Sequence, residues 1–534
     1  MDPRQQRKPI YEALRRMAQR SPARFHVPGH KGGTFFPQEA LHIFAPLLQL
    51  DLTELPGLDD LHDPRGIIAQ AQELAAEVFH ADRTYFLVGG STVGNLAMIL
   101  GTIDRGDQVF VARHSHRSVF HALSMAEAEA IILEPEICPR FQVPLGVSES
   151  CFEQALRHYP QAKAIILTYP NYYGQALDIE PIIRLAHERN MLVLVDEAHG
   201  AHFGQDECLP RSAMQLGADV SVQSTHKMLA SMTMTSMLHI KGERVSRPDI
   251  EACLHRLQSS SPSYPLLASL DLARAALARM KPEDWHQALD AYRHLRERLH
   301  EAGWTVSAAG TAGGVSEQDT SSMAPVGGPE KLRPKTGTVC HDPFKLIIRA
   351  PEGWHGFQLQ QKLFEENIAV ELADPTQILL TLPLAPQISW HDRLLQALDK
   401  IRHGRNGALE VDARKPLPRP VESAPGDKCS DACSDQASHV TMAKDGPRWR
   451  VLQMKRISLE NVEEIDLSEA AGRLSAEMLV PYPPGVPLLI PGEEVDKQCV
   501  ARIRLLQDQG AYFQGKRVGR WTKLKVFKSR AESS

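Results

Sequence analysis

The chain has 534 residues with a formal net charge of −5, of which 23% are charged and 43% hydrophobic, a length that suits two or three domains around a substantial core. The near-balanced charge gives no broad basic field for nucleic acid. No apolar run approaches the ~18 residues that cross a bilayer, and residues 1–8 lack the apolar stretch of a signal peptide. The eight cysteines are scattered, with only Cys429 and Cys433 close together, so reduced thiols and a cytoplasmic location are expected.

Residues 1–45 read as an N-terminal arm. Across 46–300, strand and helix signals alternate. Ile67, Ile68, Ala71, Leu74, Ala75, Val78 and Phe79 recur at helical spacing. Apolar, β-branched runs follow at 85–88, 108–112, 130–133, 164–168, 191–195, 219–223 and 236–240, with helices at 96–101 and 181–189 in two of the gaps. Strands buried on both faces and separated by helices predict an α/β fold: a mostly parallel seven-stranded sheet covered on both sides. Residues 301–403 read as a smaller α+β domain, with strands at 345–350 and 378–382 around a helix at 357–366. A Gly/Ser/Thr/Pro-rich insertion at 307–338 and a linker at 404–446 have the composition of flexible segments. In the C-terminal domain, 447–534, Pro481-Tyr482-Pro483-Pro484-Gly485-Val486-Pro487 reads as a rigid extended segment between two apolar strands. The basic stretch 516–530, with Trp521 and Phe527, reads as a solvated terminal strand rather than an RNA contact.

Ligands of such sheets lie at the carboxyl ends of the strands, and three polar segments fall there. Gly89-Gly90-Ser91-Thr92-Val93-Gly94-Asn95 combines glycines, hydroxyls and a helix start, which suits an anion; an ordinary capped turn gives the same pattern. Asp196 begins Asp196-Glu197-Ala198-His199 after an apolar run. Lys227 closes Ser224-Thr225-His226-Lys227, 31 positions later. Asp-Glu-Ala-His also matches the metal-binding box of helicase-type ATPases, but the phosphate loop those enzymes need is missing from the sequence. An aspartate to pair a pyridine nitrogen, a lysine to bond an aldehyde and hydroxyls for a phosphate make up the layout of a pyridoxal 5'-phosphate (PLP) enzyme. His116, in His114-Ser115-His116-Arg117-Ser118, offers a flat ring to stack on a pyridine. The spacing of His114, His116 and His121 does not suit zinc, and no metal is expected. His199 reads either as a group beside the coenzyme or substrate, or as a supporting hydrogen-bond partner.

These segments resemble the ornithine/lysine/arginine decarboxylase family of fold-type I, aspartate-aminotransferase-like PLP enzymes. The likeness extends to Phe25-His26-Val27-Pro28-Gly29-His30-Lys31-Gly32-Gly33, Gly57-Leu58-Asp59-Asp60-Leu61-His62, Ser260-Ser261-Pro262-Ser263-Tyr264 and Pro491-Gly492-Glu493, and covers most of the chain outside the two low-complexity stretches. The resemblance implies that Lys227 bonds the coenzyme, Asp196 pairs its ring nitrogen, His116 and Ala198 flank the ring, and Ser91, Thr92, Ser224 and His226 hold the phosphate. Lys227 and Asp196 are the expected catalytic residues, with His199 or Lys227 as the acid that protonates the substrate carbon. It implies a homodimer or dimer of dimers with active sites at the interface, where Ser259–Ser261 reach the neighbouring phosphate. The family motifs begin by residue 25, as in the short form without an N-terminal wing domain. The implied reaction is decarboxylation of a basic amino acid for polyamine biosynthesis, arginine to agmatine first, with lysine or ornithine as alternatives. An aminotransferase or aldolase of the same fold would share the coenzyme contacts. Asp59, Asp60 and Glu493 are the candidate acids for the substrate's distal cation. No nucleic-acid or membrane partner is expected.

Overall fold

A computed structural model of the chain describes residues 2–308, 339–403 and 448–528, except 456, 483, 484, 518 and 519. The expected linker at 404–446, nearly all of the expected insertion, and the Cys429/Cys433 pair lie outside those residues. Ser307, read as the start of the insertion, is instead buried and belongs to the small domain. Its N–H donates to Ile347 O, and its hydroxyl accepts from Ile347 N, each at 3.0 Å.

The large sheet contains β1 (Arg83–Leu87), β2 (Gln108–Ala112), β3 (Glu129–Leu133), β4 (Ala164–Thr168), β5 (Leu192–Asp196), β6 (Val220–Gln223) and β7 (Ser236–Ile240). Their order across the sheet is β1-β7-β6-β5-β4-β2-β3. From β3 to β6 every pairing is parallel, whereas β7 runs antiparallel to both β6 and β1. The pleat explains why most of these runs carry apolar residues on both faces. Val109, Val111, Ile132, Ile166, Leu194 and Val222 enter one core, and Phe110, Ile131, Ile165, Val193 and Val195 enter the opposite one.

The helix after β1 starts at Gly90 and runs to Leu100, well before the expected start at residue 96. Gly94 sets its closeness to the sheet: a Cβ there would stand 2.6 Å from the Val222 side chain and 2.8 Å from Leu87. A larger residue would push the helix, and the polar groups at its N-terminus, away from β6.

The smaller domain pairs β8 (Lys345–Arg349) with β9 (Gln377–Thr381), and the helix Gly356–Glu365 packs on them, close to the expected bounds. The C-terminal region departs from expectation in two ways. Its first strand, β10 (Trp449–Gln453), pairs antiparallel with β3, so the large sheet has eight strands rather than seven. The flanks of the Pro481–Pro487 segment do not form strands; Leu479 and Leu489 meet in an isolated bridge. The remaining pair, β11 (Val462–Asp466) with β12 (Lys523–Phe527), covers its own small core. In the basic stretch, Lys516, Arg520 and Lys523 pair with Glu477, Asp508 and Asp466.

Arg113, just beyond β2, locks this C-terminal region onto the sheet. It donates to Pro487 O at 2.8 Å and Leu488 O at 3.0 Å, and grips both oxygens of Glu493 at 3.0 Å. The Glu493 side chain is 2% exposed. Removing one member of such a pair leaves the other charged and poorly solvated, so Glu493→Ala should cost about 3 kcal/mol. Urea unfolding checks this; a loss below about 1 kcal/mol would show that the clamp contributes little.

Candidate active site

The carboxyl ends of β2, β5 and β6 bring His116, Asp196 and Lys227 to one edge of the sheet. There the chain leaves β2 for β3 on one side and returns to β4 on the other, the position where sheets of this kind open a ligand crevice. Asp196 is 2% exposed. Its Oδ2 accepts from Asn95 Nδ2 at 2.8 Å and its Oδ1 from Ala198 N at 3.2 Å. Burial still raises its pKa above the usual carboxylate value, with Lys227, Asn95 and Ala198 opposing that rise.

Asn95 also donates to Ser118 Oγ at 2.9 Å, and that hydroxyl lies 2.8 Å from His116 Nδ1. Since Ser118 N also donates to Nδ1, at 3.2 Å, this nitrogen is the acceptor and the proton of the neutral ring sits on Nε2. Burial, with the Lys227 charge, pushes the His116 pKa down to about 3. The ring is therefore neutral and fixed in orientation, as stacking on a cationic pyridine requires. Asn95 was present in the sequence motif without a role. A lone amide in an otherwise apolar helix, one turn beyond Ser91, was the signal for it.

Lys227 Nζ stands 3.0 Å from His199 Nε2 and 5.6 Å from the centroid of the Tyr172 ring, which itself packs on the His199 ring at 4.4 Å. Burial lowers the Lys227 pKa, against the pull of Asp196 and Glu371. His199 Nδ1 is buried without a hydrogen-bond partner. Burial, then the neighbouring Lys227 and Lys345 charges, drives the His199 pKa well below the usual imidazole value.

Around the start of the helix Gly90–Leu100, Ser91 Oγ lies 2.7 Å from Ser224 Oγ and 3.0 Å from Ser236 Oγ. No side chain caps this helix, and Gly90, at φ +74°, faces open space. Thr92 is exposed in the same first turn. His226 Nδ1 donates to Thr235 O at 2.7 Å, which leaves Nε2 to face a ligand. Ser236 was not anticipated, because it starts a strand that reads as purely structural.

The three expected substrate acids are engaged elsewhere. Asp59 accepts from the N–H groups of Asp60, Arg65, Gly66, Ile68 and Ala69, so it caps the helix Ile67–Val78. Asp60 accepts from His62 N at 2.8 Å. Glu493 is held by Arg113. Besides Asp196, the acid whose charge acts on Lys227 is Glu371, which accepts a hydrogen bond from the Tyr172 hydroxyl at 2.5 Å. Lys345, its Nζ 2.8 Å from Thr381 Oγ1, is a second buried amine in the field of Lys227, with burial pushing its pKa down to about 8. Neither Glu371 nor Lys345 belongs to a motif visible along the chain.

Comparison with known proteins places this geometry in a class. The lysine decarboxylase LdcF of Francisella novicida superposes with a TM-score of 0.75 over 98% of this chain and 81% of that chain, at 20% identity. The Escherichia coli constitutive lysine decarboxylase gives 0.71 over 98% and 82%, at 22% identity. At these identities the likeness establishes the architecture, that of fold-type I PLP-dependent enzymes. The family models for the Orn/Lys/Arg decarboxylase major domain and C-terminal domain match residues 8–389 and 451–515. The arginine decarboxylase of Bacillus subtilis strain 168 is 34% identical over 95% of both chains, and that of Halalkalibacterium halodurans 32% over 98% of both. The chain belongs to the Orn/Lys/Arg decarboxylase family and is an amino-acid decarboxylase.

The residues present fit the coenzyme of that fold. Asp196 is a buried carboxylate in need of a cation, His116 is a neutral flat ring, and Lys227 is a buried amine. The hydroxyl cluster and uncapped helix start offer donors for a phosphate.

Glu197, next to Asp196, behaves differently. It accepts from Ala213 N at 2.8 Å and Gln223 Nε2 at 2.9 Å, and burial pushes its carboxyl up to about 8 from 4.5. Between those values the folded protein keeps a proton that the unfolded chain has released. Its contribution to stability is therefore full below pH 4.5 and lost as pH rises through about 8. Glu197→Gln should flatten the decline in thermal stability across that window. An unchanged slope would assign the decline to other groups.

Proposed function

We propose that this chain converts L-arginine to agmatine and CO2, with PLP bonded to Lys227. The observation that carries the substrate choice is the even, full-length similarity, at 31–34% identity, to four proteins named arginine decarboxylase. Those named lysine decarboxylase reach 22–26% and are matched over 73–78% of their length.

When bound, PLP supplies the electron sink into which the bond to the departing carboxylate collapses. The protein's part is orientation and proton handling. Asp196, held by Asn95 and the Ala198 N–H, keeps a proton on the ring nitrogen by charge pairing. His116 covers one ring face and Ala198 the other. Ser91, Thr92, Ser224 and His226 take the phosphate, with Ser236 behind Ser91. Lys227 Nζ, within hydrogen-bond reach of His199 Nε2, moves the proton that replaces CO2 at the substrate Cα. Tyr172 covers His199 and holds Glu371 at the site, where its carboxylate receives the distal guanidinium.

The active unit in this reading is a homodimer in the cytoplasm. Phe25 (97% exposed), Phe35 (84%) and Ile43 (67%) leave a large apolar surface on the N-terminal arm, and Met232 and Met234 are exposed on the loop after Lys227. Ser259–Ser261 are exposed and free to reach a second chain. Sedimentation analysis reads this directly, and a monomer mass in the active preparation would overturn it.

Incubation with arginine, lysine and ornithine in turn, measuring CO2 and the amine, tests the reaction. Agmatine should dominate. Cadaverine or putrescine would reassign the substrate, and a keto acid or aldehyde would reassign the chemistry. Lys227→Ala should reduce turnover by about a thousandfold or more and lose borohydride-fixable coenzyme. Glu371→Gln should raise KM for arginine about tenfold or more, the scale of a hydrogen bond to a charged group, with little change in coenzyme binding.

A further inference from the structure

Outside the active site, three potential metal ligands converge from distant parts of the chain. Asp206 and Cys208 sit on the loop that follows the Asp196–His199 turn, and His286 lies on the helix Pro282–Glu301 that leads into the small domain. One donor atom from each lies within 4.8 Å of the other two. We propose that Asp206, Cys208 and His286 form a binding site for a zinc-class divalent cation, clipping this loop to that helix.

The donor chemistry favours that ion. A thiolate and an imidazole with one carboxylate suit a borderline-soft metal of tetrahedral preference, and three protein ligands leave the fourth position to water. A hard cation such as magnesium or calcium would require several oxygens. As the sulfur–metal bond forms, the Cys208 thiol proton passes to solvent, and no electron transfer is involved.

The support is rigid. Leu209 and Trp285, each adjacent to a ligand, are 3% and 2% exposed and pack in the same core. The loop is closed by Gly204 N donating to Pro210 O at 2.7 Å, and braced by Gln215 Nε2 on Gly204 O and Gln205 Nε2 on Val78 O, both at 3.1 Å. Cys208 N donates to Asp206 Oδ1 at 3.0 Å, fixing the two ligands relative to each other. Asp206 and Cys208 are half-buried and His286 is exposed, so an ion has access. Preorganised donors on packed elements are what a specific site requires. No metal was expected from the sequence, because His286 lies far along the chain from Asp206 and Cys208 and no motif joins them.

Calorimetric titration of the PLP-loaded protein with Zn²⁺, in a Cys429→Ser/Cys433→Ser background, tests the proposal. One equivalent should bind. Cys208→Ser and His286→Ala should each weaken binding by at least about tenfold, the order expected for loss of a ligand or its support, while arginine turnover in metal-free buffer stays unchanged. Co²⁺ in place of Zn²⁺ should give long-wavelength tetrahedral bands, clear of pyridoxal absorption, that vanish in Cys208→Ser. Equal affinity in the parent and both variants, or the absence of those bands from the parent, would overturn the proposal. His286 is exposed, so its variant keeps the test valid if Cys208→Ser folds poorly.

Discussion

A carboxylate almost sealed from water sets the terms for this site. Asp196 is too deeply buried to hold its charge without help, and Asn95 and the Ala198 N–H supply only part of it. The Lys227 charge supplies more, and a protonated pyridine in the crevice would add to it. The same amide couples Asp196 through Ser118 to His116, so the buried carboxylate and the neutral imidazole share one hydrogen-bonded chain. Displacing the helix Gly90–Leu100 would disturb both, and would move the Gly90–Ser91 turn with them. The tight seat of Gly94 on Val222 and Leu87 is therefore as important to the site as any polar contact.

The site draws on regions far apart in sequence. The large sheet contributes Ser91, His116, Asp196 and Lys227, and the small domain brings Glu371 and Lys345 towards the Lys227 amine. The C-terminal region touches His116: Gly485 O accepts from Arg117 N at 3.2 Å, and a Cβ on Gly485 would lie 3.1 Å from the imidazole. His202 and Asp342, fully buried and 2.9 Å apart, tie the turn after Asp196 to the start of β8. The two domains that frame the crevice are thus joined just beneath it.

Much of this was legible in the sequence, for identifiable reasons. Most strands of the large domain are apolar on both faces, which leaves little ambiguity, and the polar turns at their carboxyl ends stand out against them. Lys227, Asp196, His116 and Ser91 come together as expected. Strand β10 escaped notice because Trp449–Gln453 is short and mixed in polarity and its partner, β3, lies more than 300 positions earlier. What the expected substrate acids bond to was hidden for a related reason. Asp59 sits among family-like residues, yet its carboxylate serves five backbone N–H groups, whereas Glu371 stands outside any motif and reaches the site only through the fold. Local pattern reports strands and strand-end turns well; it is blind to which distant side chains face them.

The late strand has a consequence for how the molecule is made. During synthesis, the outer edge of β3 emerges with its backbone donors and acceptors unpaired, and nothing satisfies them until residues 449–453 leave the ribosome. A nascent chain, or one cut between the two domains, presents a bare sheet margin ready to recruit any extended peptide nearby. The strand Trp449–Gln453 thus acts as the molecule's own guard against misassembly as well as part of its architecture.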